Sequence, residues 1–347
     1  MTLINAYAAQ ASDKPLAPFQ ISRRGLRAND VHIEILYCGV CHSDLHTARN
    51  EWGNTTYPVV PGHEIVGRVL AVGKEVTKFR AGDLAGIGCL VDSCLSCENC
   101  RNGLEQFCLE GCTGTYNNPA KDGTGMTYGG YSKEIVAREE FVLKISDQLP
   151  LEAVAPLLCA GITTYSPLRH WKIGKGDKVG ILGLGGLGHM GVKFAVAMGA
   201  EVTMLSHTPS KEKDAKELGA HQFILTSNDA QVKSVQNYFD FILDTVSATH
   251  DYNFYLAMLK TNGVMTCVGV PPTPAQIPAG NLIFGRKSLA GSLIGGLPET
   301  QEMLDYCAQH HIVSDVEIIK MSEINEAYER MLKGDVRYRF VIDMASI

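Results

Sequence analysis

Residues Lys178–Gly188, reading Lys-Val-Gly-Ile-Leu-Gly-Leu-Gly-Gly-Leu-Gly, place the tightest constraint on how this chain can fold. A short apolar strand, Lys178–Leu182, runs straight into a Gly183-x-Gly185-x-x-Gly188 loop. Leu187, Met190, Gly191, Phe194, Ala195 and Met198 then recur at helical spacing. Three glycines at this spacing arise often by chance. Between a strand and a helix they point to a dinucleotide loop, with a plain βα turn as the competing reading. Gly183 permits the tight turn, Gly185 lets the backbone approach a pyrophosphate, and Gly188 allows close packing of helix on strand. Gly186, Leu187 and Gly188 open the helix, where amide groups face the phosphates.

The surroundings continue the pattern. Glu201–Leu205 reads as a second strand and Ser210–Leu218 as a charged helix closed by Gly219. Further strands follow at Gln222–Leu225, Phe239–Leu243 and Val264–Val268. Such alternation predicts an α/β unit of the Rossmann type, a doubly wound parallel sheet. Before about Leu151 the texture is different, with short strands (Val31–Tyr37, Ile65–Val72, Ala85–Leu90, Tyr131–Val136, Phe141–Lys144) separated by the long stretches Cys41–Pro61 and Val91–Thr127. After Gly296 come helices at Pro298–His310 and Ile324–Lys333 and a last strand, Tyr338–Asp343. At 347 residues two domains are expected. The reading is a mainly-β domain of residues 1–150 completed by 296–347, around an inserted nucleotide domain of residues 151–295.

A formal charge of −6 with no basic block argues against nucleic acid as a partner. No apolar run reaches the length of a membrane span. Met1–Lys14 lacks the pattern of a signal peptide, so a cytoplasmic location is expected. In that setting eleven cysteines suggest metal before disulfides. Four of them form Cys94-x2-Cys97-x2-Cys100-x7-Cys108, a spacing that wraps a closed tetrahedral zinc site. Iron–sulfur ligation competes, although Leu109 stands where a proline often follows the last cluster cysteine. A site closed by four thiolates holds its loop and leaves no position for chemistry.

A catalytic zinc needs about three protein ligands and an open position. The scattered candidates are Cys41-His42-Ser43-Asp44-Leu45-His46, Gly62-His63-Glu64-Ile65-Val66-Gly67 and Leu158-Cys159-Ala160-Gly161-Ile162-Thr163-Thr164-Tyr165, each weak alone. Together with the cysteine loop they resemble the medium-chain, zinc-containing alcohol dehydrogenases over essentially the whole chain. The branch most resembled holds the cinnamyl alcohol dehydrogenases and their aldehyde reductases. That resemblance implies a GroES-like, mainly-β catalytic domain and two zinc ions per chain. It implies Cys41, His63 and Cys159 as ligands of the catalytic zinc, with Glu64 able to swing in as a transient fourth. Asp44 would bond the outer nitrogen of His63, and Ser43 would pass the alcohol proton through the cofactor ribose to His46. It also brings His42 to the pyrophosphate and Thr163 to the nicotinamide, and it implies a homodimer, for which Leu289-Ala-Gly-Ser-Leu-Ile-Gly is the candidate edge.

The cofactor is read at the end of the second nucleotide-domain strand. An NAD enzyme places an acid there for the ribose hydroxyls. This chain has Ser206-His207-Thr208-Pro209-Ser210-Lys211, while Glu201 begins the strand and should lie at its other end. Hydroxyls and Lys211 suit a 2′-phosphate, so NADP(H) is favoured over NAD(H). Trp52 and Tyr57 suggest an aromatic-walled pocket for primary alcohols and aldehydes, aromatic and aliphatic.

Overall fold

The computed structural model describes residues 2–347. Its contacts divide the chain into two units, one running to Cys159 and resuming at Gly295–Ile347, the other Ala160–Ile294. The division follows Cys159, later than Pro150, for a packing reason. Helix Leu151–Val154 and the turn Ala155–Leu158 lie against strand Asp30–Gly39 and so stay with the first unit.

The first unit is built on a seven-stranded sheet. Its order is Val316–Lys320, Arg339–Asp343, Asp30–Gly39, Ile65–Val72, Leu84–Ile87 and Leu143–Lys144, with Glu134–Arg138 also paired to Asp30–Gly39. The period-two pattern decides the central strand: Val31, Ile33 and Ile35 are buried while Glu34 faces solvent. Phe340 and Ile342 of the C-terminal strand enter the same core, which fixes the late segment beside the early one. Strands Thr2–Ala8 and Ala17–Arg23 pair antiparallel and were not evident in the sequence.

Several expected strands shift, two of them for visible reasons. Gly129–Tyr131 spends its backbone on the Val60–Gly62 segment (Gly130 N to Gly62 O 2.8 Å, Tyr131 N to Pro61 O 3.0 Å), so sheet pairing starts only at Glu134. The run Ala85–Leu90 breaks at Gly88, where even a Cβ would lie 2.9 Å from the Leu158 carbonyl, giving Leu84–Ile87 and Leu90–Asp92. The stretch after Cys41 holds a helix, His42–Ala48.

The second unit is a six-stranded, wholly parallel sheet in the order Gln222–Leu225, Glu201–Ser206, Lys178–Leu182, Phe239–Asp244, Leu259–Cys267, Ser288–Gly291. Val179–Leu182 is buried throughout, as expected of a strand covered on both faces. Strand order reverses between Lys178–Leu182 and Phe239–Asp244, the point at which doubly wound sheets bind ligands. Helix Ala160–His170 carries no amphipathic stripe because every residue from Ala160 to Leu168 is buried, which hid it from periodicity. Among the described residues, no helix is long and apolar enough to cross a membrane.

Candidate active site

Three separate elements bring the dispersed ligands together. Cys41 caps helix His42–Ala48 just beyond strand Asp30–Gly39, His63 and Glu64 precede strand Ile65–Val72, and Cys159 ends the turn Ala155–Leu158. The ligand atoms of Cys41, His63, Glu64 and Cys159 all lie within 4.8 Å of one another. The Cys41 and Cys159 sulfurs are 4.0 Å apart and form no disulfide. A tetrahedral zinc with Zn–S of about 2.3 Å sets two thiolates about 3.8 Å apart. Two sulfurs, an imidazole nitrogen and a carboxylate therefore match that ion in chemistry and in spacing. Cys159 hydrogen-bonds to Cys41, and with Arg339 and His63 nearby it holds the Cys41 thiol well below its usual range despite burial.

Asp44 organises this cluster from below. Fully buried, it accepts from Cys41 N (2.9 Å) and Tyr131 OH (3.2 Å) on Oδ2, and from Gly62 N (3.0 Å) on Oδ1. His63 Nδ1 lies 3.1 Å from Oδ1, which leaves Nε2 for a metal. One carboxylate thus fixes a ligand's backbone, another ligand's ring and the turn between strands. Gly62, at φ +104°, could carry no side chain there, because a Cβ would meet Cys38 Sγ at 2.8 Å and Gly130 N at 2.9 Å.

Glu64 has a partner the sequence did not reveal. Its Oε1 is bonded by Arg339 Nη2, and its buried Oε2 has no hydrogen-bond partner. Burial pushes the Glu64 carboxyl up to about 7, against the pull of Arg339. Burial also works against charge on Arg339, but Glu64, Cys41 and Cys159 outweigh it and hold the guanidinium above its usual range. Gly39 makes room for this pair, since a Cβ there would stand 1.9 Å from Glu64 Oε2. The sequence signal for Arg339 is a charge opening a short strand with an apolar middle, Arg-Phe-Val-Ile-Asp.

The remaining candidates of this unit sit around the cluster. Ser43 Oγ is 3.7 Å from Cys41 Sγ. His46, half-buried on the same helix, bonds through Nδ1 to Glu51 and faces Trp52 with ring centroids 5.4 Å apart. His42 is exposed, with its ring 6.1 Å from that of His46. Trp52 is itself exposed, and Tyr57 OH donates to Ala48 O at 2.9 Å. Cys89 lies beside the cluster: it hydrogen-bonds to Cys159, which lowers its thiol.

The cysteine loop forms the second cluster, again with all four sulfurs within 4.8 Å and with Cys94 Sγ to Cys100 Sγ at 3.9 Å. Backbone amides point at the sulfurs: Cys97 N to Cys94 Sγ 3.2 Å, Cys94 N to Cys108 Sγ 3.4 Å, Leu109 N to Cys97 Sγ 3.4 Å. Amides of Ser96 and Cys97 pull the Cys94 thiol down to about 6, favouring the thiolate that zinc requires. Cys112 stays apart, directed at Gln106 O at 3.7 Å.

In the second unit the glycine loop has the shape its spacing predicts. Gly183 is at φ +89°, and a Cβ at Gly185 would meet nothing within 4 Å, leaving its backbone open to approach. Helix Gly188–Ala197 begins at Gly188, where a Cβ would strike Gly183 O at 1.8 Å. Gly188→Ala is accordingly expected to force the loop open, lower stability by about 1–3 kcal/mol and abolish dinucleotide binding. Thermal melting with and without dinucleotide checks this. Gly186 and Leu187 complete the loop, and Thr163 is buried on helix Ala160–His170. Ser206 ends its strand with Oγ accepting from Thr208 N (3.1 Å), His207 is exposed, and Lys211 opens helix Lys211–Glu217. Glu201 begins the strand, accepting from Tyr238 OH at 2.7 Å and Gln222 Nε2 at 3.1 Å, and so is committed elsewhere.

Comparison with known proteins agrees with this geometry. The model of the alcohol dehydrogenase GroES-like domain matches residues 27–147, and that of zinc-binding dehydrogenases matches residues 186–309. The chain belongs to the zinc-binding alcohol dehydrogenases. Among members of this family, the aldehyde reductase YahK of Escherichia coli strain K12 is 57% identical over 98% of each chain. A cinnamyl alcohol dehydrogenase from Sorghum bicolor superposes with a TM-score of 0.96 at 45% identity, covering 99% of this chain and 98% of that one. The CAD of Helicobacter pylori, solved with NADP(H), gives 0.93 at 42% identity over 99% of each. Both sulfur clusters carry a donor set that could hold the zinc of this family.

Proposed function

We propose that this zinc-binding dehydrogenase transfers hydride between NADP(H) and primary alcohols or aldehydes, with reduction of aromatic and aliphatic aldehydes its main work. The gathering of Cys41, His63, Glu64 and Cys159 within 4.8 Å carries this reading. Cys41, His63 and Cys159 would hold the catalytic zinc, with Glu64, now bonded by Arg339, as the transient fourth ligand. Cys94, Cys97, Cys100 and Cys108 would hold a structural one. Zinc at the first site would supply a Lewis acid for a carbonyl oxygen and lower the pKa of a bound alcohol. Asp44 keeps His63 in the tautomer that presents Nε2. In alcohol oxidation Ser43 would accept the substrate proton and pass it, by way of a bound cofactor's ribose, to His46 beside Glu51; in aldehyde reduction the proton would run inwards from His46 to Ser43 and the substrate.

Gly183, Gly185, Gly186, Leu187 and Gly188 cradle the pyrophosphate, with His42 and Thr163 as further contacts. Ser206, His207, Thr208 and Lys211 take the 2′-phosphate. Strand Glu201–Ser206 ends in Ser206 where an NAD enzyme places an acid, and Glu201, at its opening end, is bonded to Tyr238 and Gln222; both support NADP(H). Initial rates of NADPH and NADH oxidation with benzaldehyde, cinnamaldehyde and butanal test both points. NADPH is expected to be preferred about tenfold or more, a difference of about 1.4 kcal/mol. An NADH preference would discard the cofactor assignment, and no turnover with either would discard the activity.

The reading extends to a cytoplasmic homodimer. Strand Ser288–Gly291 ends its sheet with one edge unpaired, next to the exposed Ile283 and Phe284. Phe284→Asp is expected to shift the protein towards monomer in analytical ultracentrifugation without lowering its zinc content. An unchanged sedimentation coefficient would move the interface elsewhere.

A further inference from the structure

The reversal point of the parallel sheet carries a carboxylate–imidazole dyad, its acid buried, that neither sulfur cluster uses. Asp244 ends strand Phe239–Asp244 and is fully buried. Its Oδ2 lies 3.0 Å from His250 Nε2, and its Oδ1 accepts from Val246 N at 3.0 Å. The other ring nitrogen of His250, Nδ1, meets Ala248 O at 2.9 Å, and the ring lies against Tyr252 with centroids 4.5 Å apart. His250 therefore ties the far end of the segment 245–250 back to the strand from which that segment departs.

What this loop touches gives the dyad its role. Thr245 N donates to Leu182 O (3.1 Å), and Thr245 Oγ1 donates to Leu182 O (2.8 Å) and Gly183 O (3.2 Å). Val246 occupies the space beside Gly183, where a Cβ would meet Val246 Cγ2 at 2.8 Å. The next strand's loop interlocks with it: Val268 N donates to Asp244 O at 2.9 Å, and a Cβ on Gly269 would strike Val246 O at 2.4 Å. Segments 182–183, 245–250 and 268–269 thus form one interlocked layer at the carboxyl ends of three neighbouring strands. Doubly wound sheets bind their ligand at those ends. Burial pushes the Asp244 carboxyl up, while the Val246 amide and His250 favour its charged form.

We propose that His250, fastened to Asp244, is a positioning residue for the dinucleotide: it holds Thr245 and Val246 against Gly183 and so sets the glycine loop in its binding shape. This rests on the dinucleotide reading of that loop. The dyad supplies no zinc ligand, so its effect falls on cofactor affinity and leaves the metal chemistry alone.

The test uses the full-length, zinc-loaded enzyme and its His250→Ala and His250→Gln variants, titrated with NADPH by fluorescence. His250→Ala is expected to raise the NADPH Kd and KM about tenfold, the scale of one lost hydrogen bond to a charged group. Its kcat, aldehyde KM and zinc content should stay within about twofold, because the reacting groups are untouched. His250→Gln restores a donor towards Asp244 and should bring the Kd back to within about threefold of the unaltered enzyme. An alanine variant binding NADPH as tightly as the unaltered enzyme would overturn the proposal. So would equal losses in the alanine and glutamine variants, or a loss spread evenly over zinc content and aldehyde KM. Failure of the unaltered enzyme to bind NADPH or NADH would instead sink the dinucleotide reading itself, and this proposal with it.

Discussion

Asp44→Asn is expected to give a folded protein that binds its catalytic zinc about 10–100-fold more weakly, the range found when a residue orienting a metal ligand is changed. The two carboxylate oxygens divide the work, Oδ1 serving Gly62 N and His63 Nδ1, Oδ2 serving Cys41 N and Tyr131 OH. A carboxamide has one acceptor oxygen and one amino group. If the oxygen stays with Gly62 and His63, the amino group opposes the Cys41 amide, and Tyr131 can turn its hydroxyl to accept while a backbone N–H cannot. Cys41 is then displaced with its sulfur. Asp44→Ala goes further, leaving four buried donors unpaired at about 1–3 kcal/mol each, against a total domain stability of about 5–15 kcal/mol. That variant is expected not to accumulate as folded protein. Zinc per chain after dialysis against a graded chelator reads the asparagine result: two ions in the unaltered protein, falling to one at lower chelator strength in the variant. Retention of both ions with full turnover would refute the organising role of Asp44.

The sequence announces best those features that depend on a missing side chain or on sulfur. Gly183 and Gly188 could be read because their conformations exclude a Cβ, and the cysteine loop because four thiols at short spacing have few other uses. The glycine loop also led to the parallel sheet, through the alternation around it. Arg339 could not be found this way. It stands 275 residues from Glu64, and a lone arginine at the start of a strand has many ordinary roles. Tyr131 was hidden for a related reason: its hydroxyl matters only because the segment before it is bonded to Val60–Gly62 and leaves the sheet. Helix Ala160–His170 was illegible because burial on all sides removes the period that marks a helix. The turn Ala155–Leu158 staying with the first unit depends on tertiary packing, which composition does not encode. His250 belongs to the same class, since an isolated histidine after a strand shows nothing of the carboxylate it meets.

Cys41→Ser and Cys97→Ser should each remove one zinc per chain and yet fail differently. Cys41 rises from a helix whose first turn, Asp44 network and surrounding core remain when the sulfur is lost. Its serine variant is expected to melt within a few degrees of the unaltered protein, a change of about 1 kcal/mol or less. Turnover should fall by about a thousandfold or more, some 4 kcal/mol of barrier. The loop around Cys97 has no such support. Between Leu90–Asp92 and Thr113–Gly114 it holds only the short helices Glu98–Arg101 and Glu105–Phe107, and it exposes Leu104, Phe107 and Leu109. With these large apolar side chains turned to solvent, it is expected to depend on the zinc its four thiols would hold; such binding contributes about 10–16 kcal/mol in isolated zinc modules. The loop is also tied to the rest of its unit: Glu105 Oε2 accepts from Leu297 N at 2.9 Å, and Gly296 lies so close to Gly103 O that a Cβ would stand 1.7 Å away. Loosening it therefore frees the start of helix Leu297–His310 as well. Cys97→Ser is expected to lower the melting temperature by ten degrees or more, roughly 3 kcal/mol for a chain of this size, with turnover at low temperature reduced only in proportion to the folded fraction. Melting curves, zinc per chain and kcat on the two variants side by side decide the matter. Equal losses of stability would mean that the two clusters do not divide chemistry from support.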